Sequence, residues 1–244
     1  MEKPILFNTK MVQAILDGRK TQTRRLPSSR IRDKWCDWDE YQCAVAPPGS
    51  ILATEKGFYE NYPPYEQGDI LWVRETWNYG YVESSDREYE NDVWFEPSDR
   101  KTEGSYMRAL NRFWYRADKD DEKDMSELHG FWRPSIHMPR EAARIFLRVE
   151  FVRIGRLKDF FDASCAYSEG IAINHLHSAQ EAVDAFGRLW DSTIKPADLI
   201  RYGWNANPLV WVIGFERVDD KRAGLWADRD TAQYADGGAL APAT

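Results

Sequence analysis

Two well-separated stretches of the chain have the apolar pattern of a β-strand. In residues 143–153 (ARIFLRVEFVR), Ile145, Leu147 and Val149 stand at every second position among mostly charged residues, and residues 209–218 (LVWVIGFERV) form a nearly continuous apolar run. A period of two is typical of a strand with one buried face. With shorter apolar runs at residues 5–7 and 70–73 and few helices, the pattern predicts an α+β fold, a small curled β-barrel flanked by helices.

Three segments have helical spacing or a helix cap. Asn8 or Thr9 caps an apolar run that follows helical spacing to Leu16, and a second amphipathic helix is expected from Ser178 to Trp190. A third, short helix is expected after Asp162, ending near Glu169.

Two long insertions are predicted in this domain, which we expect to span residues 1–218. Residues 27–67 contain Pro, Gly and Tyr without a sustained period, and residues 78–130 are polar and acidic, with a charged run at 118–124 that is expected to be solvated. Strand-like segments at residues 93–95 and 112–115 are expected to form a hairpin. Residues 219–244 are expected to be a flexible tail.

The basic segment GRKTQTRR, residues 18–25, lies between the first helix and a strand. Gly18 stands where a helix C-cap glycine is expected, and the β-prone residues 21–23 lead into a strand that carries Arg24 and Arg25. A lysine placed on such a turn, close to a threonine hydroxyl and to arginines, is a candidate base with a lowered pKa. Lys20 and Thr23 have this arrangement, although basic runs are more often plain solvated surface.

Composition excludes several classes of protein. The net charge of −7 argues against a non-specific nucleic-acid coat protein, while eleven Trp and twelve Tyr provide rings for base stacking or interfaces. The three cysteines have no disulfide or zinc spacing, and His175 and His177 lack metal-binding partners, so neither a metal nor a cofactor is expected. Without a long apolar run, the chain is expected to be cytoplasmic, with no membrane partner.

The GRKTQTRR segment resembles the G-x-K-x-x-x-x-R motif of the ASCH domain family, which is related to the PUA RNA-binding fold. Further blocks are similar to the larger ASCH proteins of phages and prophages, and together the blocks cover about half of the chain in the expected order. They are GDILWVRETW (68–77), WRPSIHMPREAARI (132–145), SEGI (168–171) and NPLVWVIGFERV (207–218).

The resemblance implies a PUA-like barrel whose cleft holds a nucleotide or RNA. One branch of the family comprises small amidohydrolases that remove the acetyl group of 4-acetylcytidine. Their catalytic lysine, threonine and glutamate correspond to Lys20, Thr23 and Glu169 of this chain. In that interpretation Lys20 takes a proton from Thr23 or from water, and Glu169 transfers one to the leaving nitrogen. The two insertions distinguish this chain from those minimal enzymes.

Further residues are candidates for ligand binding. Glu75 follows a strand and is expected either to form an ion pair with Arg74 or the GRK loop, or to contact a base; Trp77 is a candidate stacking ring. His137 and Arg140 lie on one extended, proline-flanked segment, where a structural role for the histidine is the alternative. The remaining candidates are the arginines of the basic segment: Arg19, Arg24 and Arg25.

Two sets of basic residues could form a track for phosphates. The first extends from Arg19 to Arg32, and the second from Arg140 to Arg156. If the fold places both on one rim, binding to nucleic acid should weaken steeply with salt. A solvated strand face is the alternative.

Three functions therefore stay open. The chain is an RNA- or modified-nucleotide-binding ASCH protein that hydrolyses an amide on a modified base, a non-catalytic nucleic-acid-binding module, or a ribonuclease. The partner expected is a modified nucleoside or nucleic acid, RNA ahead of DNA, and the sequence does not indicate an oligomeric state.

Overall fold

The computed structural model describes residues 1–46, 53–84, 93–97, 112–127, 131–172 and 178–218. Within them the chain combines strands and helices, which confirms the α+β class. The strands are β1 (Glu2–Leu6), β2 (Gln22–Arg25), β3 (Ile70–Arg74), β4 (Trp77–Ser84), β5 (Val93–Pro97), β6 (Arg112–Tyr115), β7 (Phe146–Arg156) and β8 (Leu209–Val218). The α-helices are α1 (Thr9–Leu16), α2 (Ser29–Val45), α3 (Glu55–Tyr59), α4 (Lys119–Glu127), α5 (Ala163–Ser168), α6 (Ala179–Ser192) and α7 (Leu199–Tyr202).

Two sheets contain these strands. Five strands form a sheet in the order β1-β3-β7-β8-β2, and three form a sheet in the order β5-β4-β6. The order of the larger sheet leaves β1 and β2 at its edges, so the described residues contain no closed barrel. Closure into a PUA-like barrel therefore stays a prediction.

The predicted insertions contain regular structure within the described residues. The segment expected to be a loop at residues 27–67 includes the 17-residue helix α2 and the short helix α3, so that expectation is wrong. The expected hairpin of residues 93–95 with 112–115 is also wrong, because β5 and β6 each pair antiparallel with β4. The predicted tail and the pair His175 and His177 lie outside the described residues.

The chain separates into two compact units, each built from several segments. The first unit contains Met1–Lys3, Ala14–Leu71 and Leu147–Arg217; the second contains Pro4–Gln13, Trp72–Phe146 and Val218–Thr244. The prediction of a single domain over residues 1–218 is not decided by this division.

A hydrophobic cluster between helices and β8 forms a core of the first unit. Helix α6 begins after its N-cap Ser178 and buries residues at helical spacing, among them Ala182, Phe186 and Trp190. They pack with Val210 and Val212 of β8 and with Leu157 and Ala166. Because β2 pairs with β8 and places Arg24 opposite Val212, the Arg24 side chain enters on this face of the sheet.

Candidate functional site

Lys20 is positioned by the end of α1 and the start of β2. Gly18 has a φ of 73°, the left-handed conformation of a helix C-cap glycine, which confirms the prediction for this residue. The backbone N–H groups of Arg19 and Lys20 then donate to Ala14 O at 2.9 and 3.0 Å. These bonds fix the backbone of Lys20 before the strand begins.

The side chain of Lys20 is buried and surrounded by oxygen atoms. Its Nζ donates to Gln22 O and to the backbone O of Glu169, both at 2.8 Å, and to Glu169 Oε2 at 3.1 Å. Only 1% of the side chain is exposed. Three acceptors match the three N–H donors of an ammonium group.

Glu169 is held in place by the end of α5. The helix begins at its N-cap Asp162, whose Oδ1 accepts from Cys165 N at 2.8 Å, and Glu169 is the C-cap residue. Gly170 follows with a φ of 98°, and a Cβ there would lie 3.0 Å from Ala14 Cβ and 3.4 Å from Lys20 Cδ. The predicted helix and its cap are confirmed, and glycine is required for this close approach.

Arg24 is the third charged member of the buried cluster. Its Nη1 donates to Glu169 Oε1 at 2.8 Å, its side chain is 1% exposed, and its guanidinium lies 4.6 Å from the centroid of the Phe161 ring. The cluster of Lys20, Arg24 and Glu169 therefore contains two cations and one carboxylate in a dry environment.

Thr23 is buried but points away from Arg24. In β2 it lies opposite Ile213, whereas Arg24 lies opposite Val212. Since successive side chains of a strand point to opposite faces, Thr23 is on the face opposite the Arg24–Glu169 contact. The structure therefore brings two of the three predicted catalytic residues, Lys20 and Glu169, into contact and places Thr23 on the other side of the strand.

The protonation of Lys20 limits the chemistry of this cluster. Burial lowers the pKa of Lys20 from its ordinary value of 10.5, with the nearby Glu169 carboxylate opposing that effect. The three acceptors around Nζ nevertheless favour the ammonium form, which has no lone pair to accept a proton. In this arrangement the cluster joins β2 to the end of α5.

In the second unit, Glu75 forms an ion pair with a residue that the sequence did not suggest. Arg144 donates to Glu75 Oε1 and Oε2 at 3.0 and 3.1 Å, and its guanidinium lies 4.0 Å from the Tyr115 ring centroid. The predicted pairing with Arg74 or the GRK loop is wrong. Glu75 is 1% exposed, and burial raises its pKa.

Part of the acidic run at residues 118–124 is structural. Asp121 is buried and its carboxylate accepts from Tyr115 N at 2.7 Å, while Asp118 lies 3.6 Å from Arg144. The expectation that this run is solvated is wrong for Asp121, whereas the Asp118 side chain is 43% exposed.

The other predicted binding residues of the second unit occupy different environments. Trp77 is 5% exposed and has the guanidinium of Arg133 5.4 Å from its ring centroid, so its ring is part of a core. His137 is exposed in a 3-10 turn, and Arg140 lies over the ring of Phe146 at 4.5 Å. These residues are not brought together in one pocket by the described contacts.

In the first unit, two arginines of the basic segment lie outside the buried cluster. Arg19 donates to Gly170 O at 2.7 Å and to Asp17 at 2.9 Å, which ties the turn to the end of α5. Arg25 is exposed at the end of β2.

A groove of about 760 Å³ lies in the first unit. We call it the basic groove; the residues that matter here are Lys56, Arg153, Arg156, Phe160 and Trp211. A smaller pocket of about 250 Å³ shares Arg156 and Leu209 with it and adds Arg32, Arg201 and Tyr202. Arg32 and Arg156 come from the two basic sets, so part of each set does meet at one pocket. Phe160, Arg201 and Tyr202 carry no sequence pattern that marks them as binding residues.

Comparison with known proteins adds no family to this description. No protein-family model matches the chain, and neither a curated protein nor a solved structure matches it at a significant level. In the part of the chain that is described, no group of three or more His, Cys, Asp or Glu is arranged to hold a metal ion. None of the helices described is both long and apolar enough to cross a membrane.

Proposed function

We propose that the chain is a nucleic-acid-binding module of the PUA-like ASCH type, which binds RNA ahead of DNA in the cytoplasm and catalyses no reaction. The observation that carries the proposal is the basic groove with its adjoining pocket. A volume of about 760 Å³ is within the range of ligand-binding clefts. The lining combines cationic and aromatic side chains, the two types that contact phosphates and bases.

The charge of this region is opposite to that of the chain. The groove and pocket together are lined by five basic residues (Arg32, Lys56, Arg153, Arg156, Arg201) and three acidic residues (Glu55, Glu60, Asp159). The groove by itself has three of each, and the arginines of the pocket provide the excess. The chain as a whole has a net charge of −7. A local positive surface on an acidic protein attracts a polyanion to one place instead of coating the protein.

Aromatic rings accompany the arginines. The guanidinium of Arg32 lies 4.6 Å from the centroid of the Tyr202 ring, and that of Arg201 lies 5.7 Å from the same centroid. Contact with a ring restrains a guanidinium, and in Arg32 one nitrogen, Nη1, also donates to Pro27 O. The remaining N–H groups can donate to phosphate oxygens. This arrangement supports an RNA ligand that offers both phosphates and base faces.

Amide hydrolysis at Lys20, Thr23 and Glu169 is the second candidate. The 3.1 Å contact between Lys20 Nζ and Glu169 Oε2 favours it. The 1% exposure of the lysine side chain and its three acceptors argue for a structural role instead. Incubation with 4-acetylcytidine decides between them: the proposal predicts no deacetylation by the wild type, and turnover that Lys20→Ala abolishes would establish the hydrolase. For a ribonuclease, no acid–base pair can be assigned in the groove.

Salt-dependent binding tests the proposal. We expect a labelled single-stranded oligoribonucleotide to bind with an affinity that falls between about 50 and 200 mM salt, with a log–log slope of roughly −0.7 per phosphate contact. The double variant Arg153→Ala/Arg156→Ala should bind more weakly. Because it removes two phosphate contacts, the magnitude of its log–log slope should be smaller by about 1.4.

A matched control keeps the overall charge change the same. Arg188→Ala/Arg217→Ala removes two exposed arginines that do not line the groove, and it should bind like the wild type. Equal losses in the two double variants would contradict a binding site in the groove, because they would show that only net charge matters.

A further inference from the structure

Phe160 combines two features that are unfavourable for the fold. Its side chain is 89% exposed, and its backbone has a φ of 52°. The left-handed conformation is uncommon for a bulky residue and is much better suited to Asn or Gly. An exposed phenyl ring also gains nothing from burial. A residue with both features at a groove is best explained by a role in binding.

The turn that carries Phe160 is fixed by hydrogen bonds on both sides. Asp159 Oδ2 accepts from Arg156 N at 3.0 Å, and Asp159 N donates to Arg156 O at 3.0 Å. On the C-terminal side of Phe160, Cys165 Sγ donates to the backbone O of Phe160 at 3.3 Å. The ring is therefore presented by an ordered backbone.

The next residue, Phe161, anchors the turn in the core. Its ring lies 4.6 Å from that of Phe186 and 5.5 Å from that of Trp204, and the guanidinium of Arg24 lies 4.6 Å from its centroid. Arg24 is in turn held by Glu169. The buried cluster thus holds Phe161 inward, and this fixes the turn in which Phe160 is exposed.

The surroundings of Phe160 indicate what its ring contacts. It lines the same groove as Lys56, Arg153 and Arg156, and three acids, Glu55, Glu60 and Asp159, line it too. A nucleotide offers a flat aromatic face together with a phosphate, which matches a ring beside arginines. In a duplex, each base face is covered by its neighbours, so an unpaired base is needed.

We propose that Phe160 stacks on an unpaired base, so that the ligand of the basic groove is single-stranded. This inference rests on the proposed function and names the class of its ligand. Sequence preference should be weak, since every base has a face to stack.

Fluorescence anisotropy tests the stacking of Phe160 on an unpaired base. The probe is a labelled oligoribonucleotide of about 12 nucleotides, used as a single strand and as a duplex with its complement. We expect Phe160→Asn to bind the single strand at least about fivefold more weakly and the duplex unchanged. Phe160→Trp, which keeps a ring, should retain the affinity. Tyr167→Ala, which removes an exposed ring that does not line the groove, is the control and should have no effect. The melting temperature of Phe160→Asn should be equal to or above that of the wild type.

Several results would overturn the inference. If Phe160→Asn binds the single strand as the wild type does, stacking is wrong, while a loss in Arg153→Ala/Arg156→Ala would leave the groove in place. If the wild type binds neither RNA, both proposals fall. A lower melting temperature of Phe160→Asn would show that the ring serves the fold. Self-association that Phe160→Asn abolishes in sedimentation velocity would assign the ring to a second copy of the chain.

Discussion

Replacing Glu169 by Gln removes the carboxylate that Lys20 and Arg24 share. Both cationic side chains are 1% exposed, so the variant leaves two like charges buried together. Breaking a buried ion pair by removing one partner costs about 3–5 kcal/mol of unfolding free energy. Lys20 can limit the cost by losing its proton, which at pH 7 requires about 5 kcal/mol for a group with an ordinary pKa of 10.5.

Replacing Lys20 by Met removes one of the two cations, so Glu169 keeps its partner Arg24 and the charges become balanced. What is lost is the donor to two backbone carbonyls, those of Gln22 and Glu169. Two unsatisfied buried acceptors, at about 1–3 kcal/mol each, cost about 2–6 kcal/mol. We therefore expect the two variants to lose similar stability at pH 7 and to differ in their pH dependence. Glu169→Gln should recover stability as pH rises toward 10.5, because Lys20 can then lose its proton, whereas Lys20→Met should not.

Urea and thermal unfolding followed by circular dichroism measure the difference. For a chain of 244 residues, about 1 kcal/mol corresponds to roughly 2–4 °C, so Glu169→Gln should lower the melting temperature by about 6–20 °C. The exposed Glu150→Gln is the matched control and should change stability by less than about 0.5 kcal/mol. A Glu169→Gln variant that gains no stability relative to Lys20→Met as the pH is raised would refute the charge argument.

Three further predictions concern pH and backbone geometry. Because burial lowers the pKa of Lys20, the unfolded chain binds more protons than the folded chain at pH values between the folded pKa and 10.5. The wild type should therefore gain stability relative to Lys20→Met as pH rises toward 10.5, and urea titrations in which both have the same pH dependence would contradict this. Burial raises the pKa of Glu75 above 4.5, so the folded chain keeps this proton to a higher pH than the unfolded chain does, and stability should fall as pH rises from 4.5 through the folded pKa. In the same titrations, Glu75→Gln should remove that part of the decrease. Gly170→Ala should cost about 1–3 kcal/mol, because its φ of 98° strains any residue with a Cβ and the new atom would lie only 3.0 Å from Ala14 Cβ. A melting temperature equal to that of the wild type would show that the turn relaxes.

Local signals predicted the elements around the buried cluster well. The Asn8 cap, Gly18 and Asp162 each act through hydrogen bonds or dihedral angles within a few residues, and all three are found where the sequence indicated. Strand β8 also has the bounds that its apolar run predicted. Such features need no knowledge of distant parts of the chain.

Helix α2 was missed because it carries little hydrophobic pattern. Of its 17 residues, Gln42 alone is buried. Most of the helix surface is exposed, so its sequence lacks the apolar stripe on which a prediction depends.

The partners of charged side chains were harder to predict than the strands that carry them. Alternation places Arg24 on one face of β2, but the Glu169 that it contacts is 145 residues away. Glu75 likewise pairs with Arg144 instead of its neighbour Arg74. The pocket beside the groove has the same origin, since Arg32, Arg156 and Arg201 meet only after folding.

The most direct test of the central claim is to locate RNA on the protein. A single-stranded oligoribonucleotide that contains 4-thiouridine is bound to the wild type, crosslinked with light, and mapped by mass spectrometry. The account predicts crosslinked peptides that contain Phe160 or Tyr202, which line the basic groove and its adjoining pocket. Crosslinks confined to residues 132–140, or none above the level of Arg153→Ala/Arg156→Ala, would contradict it.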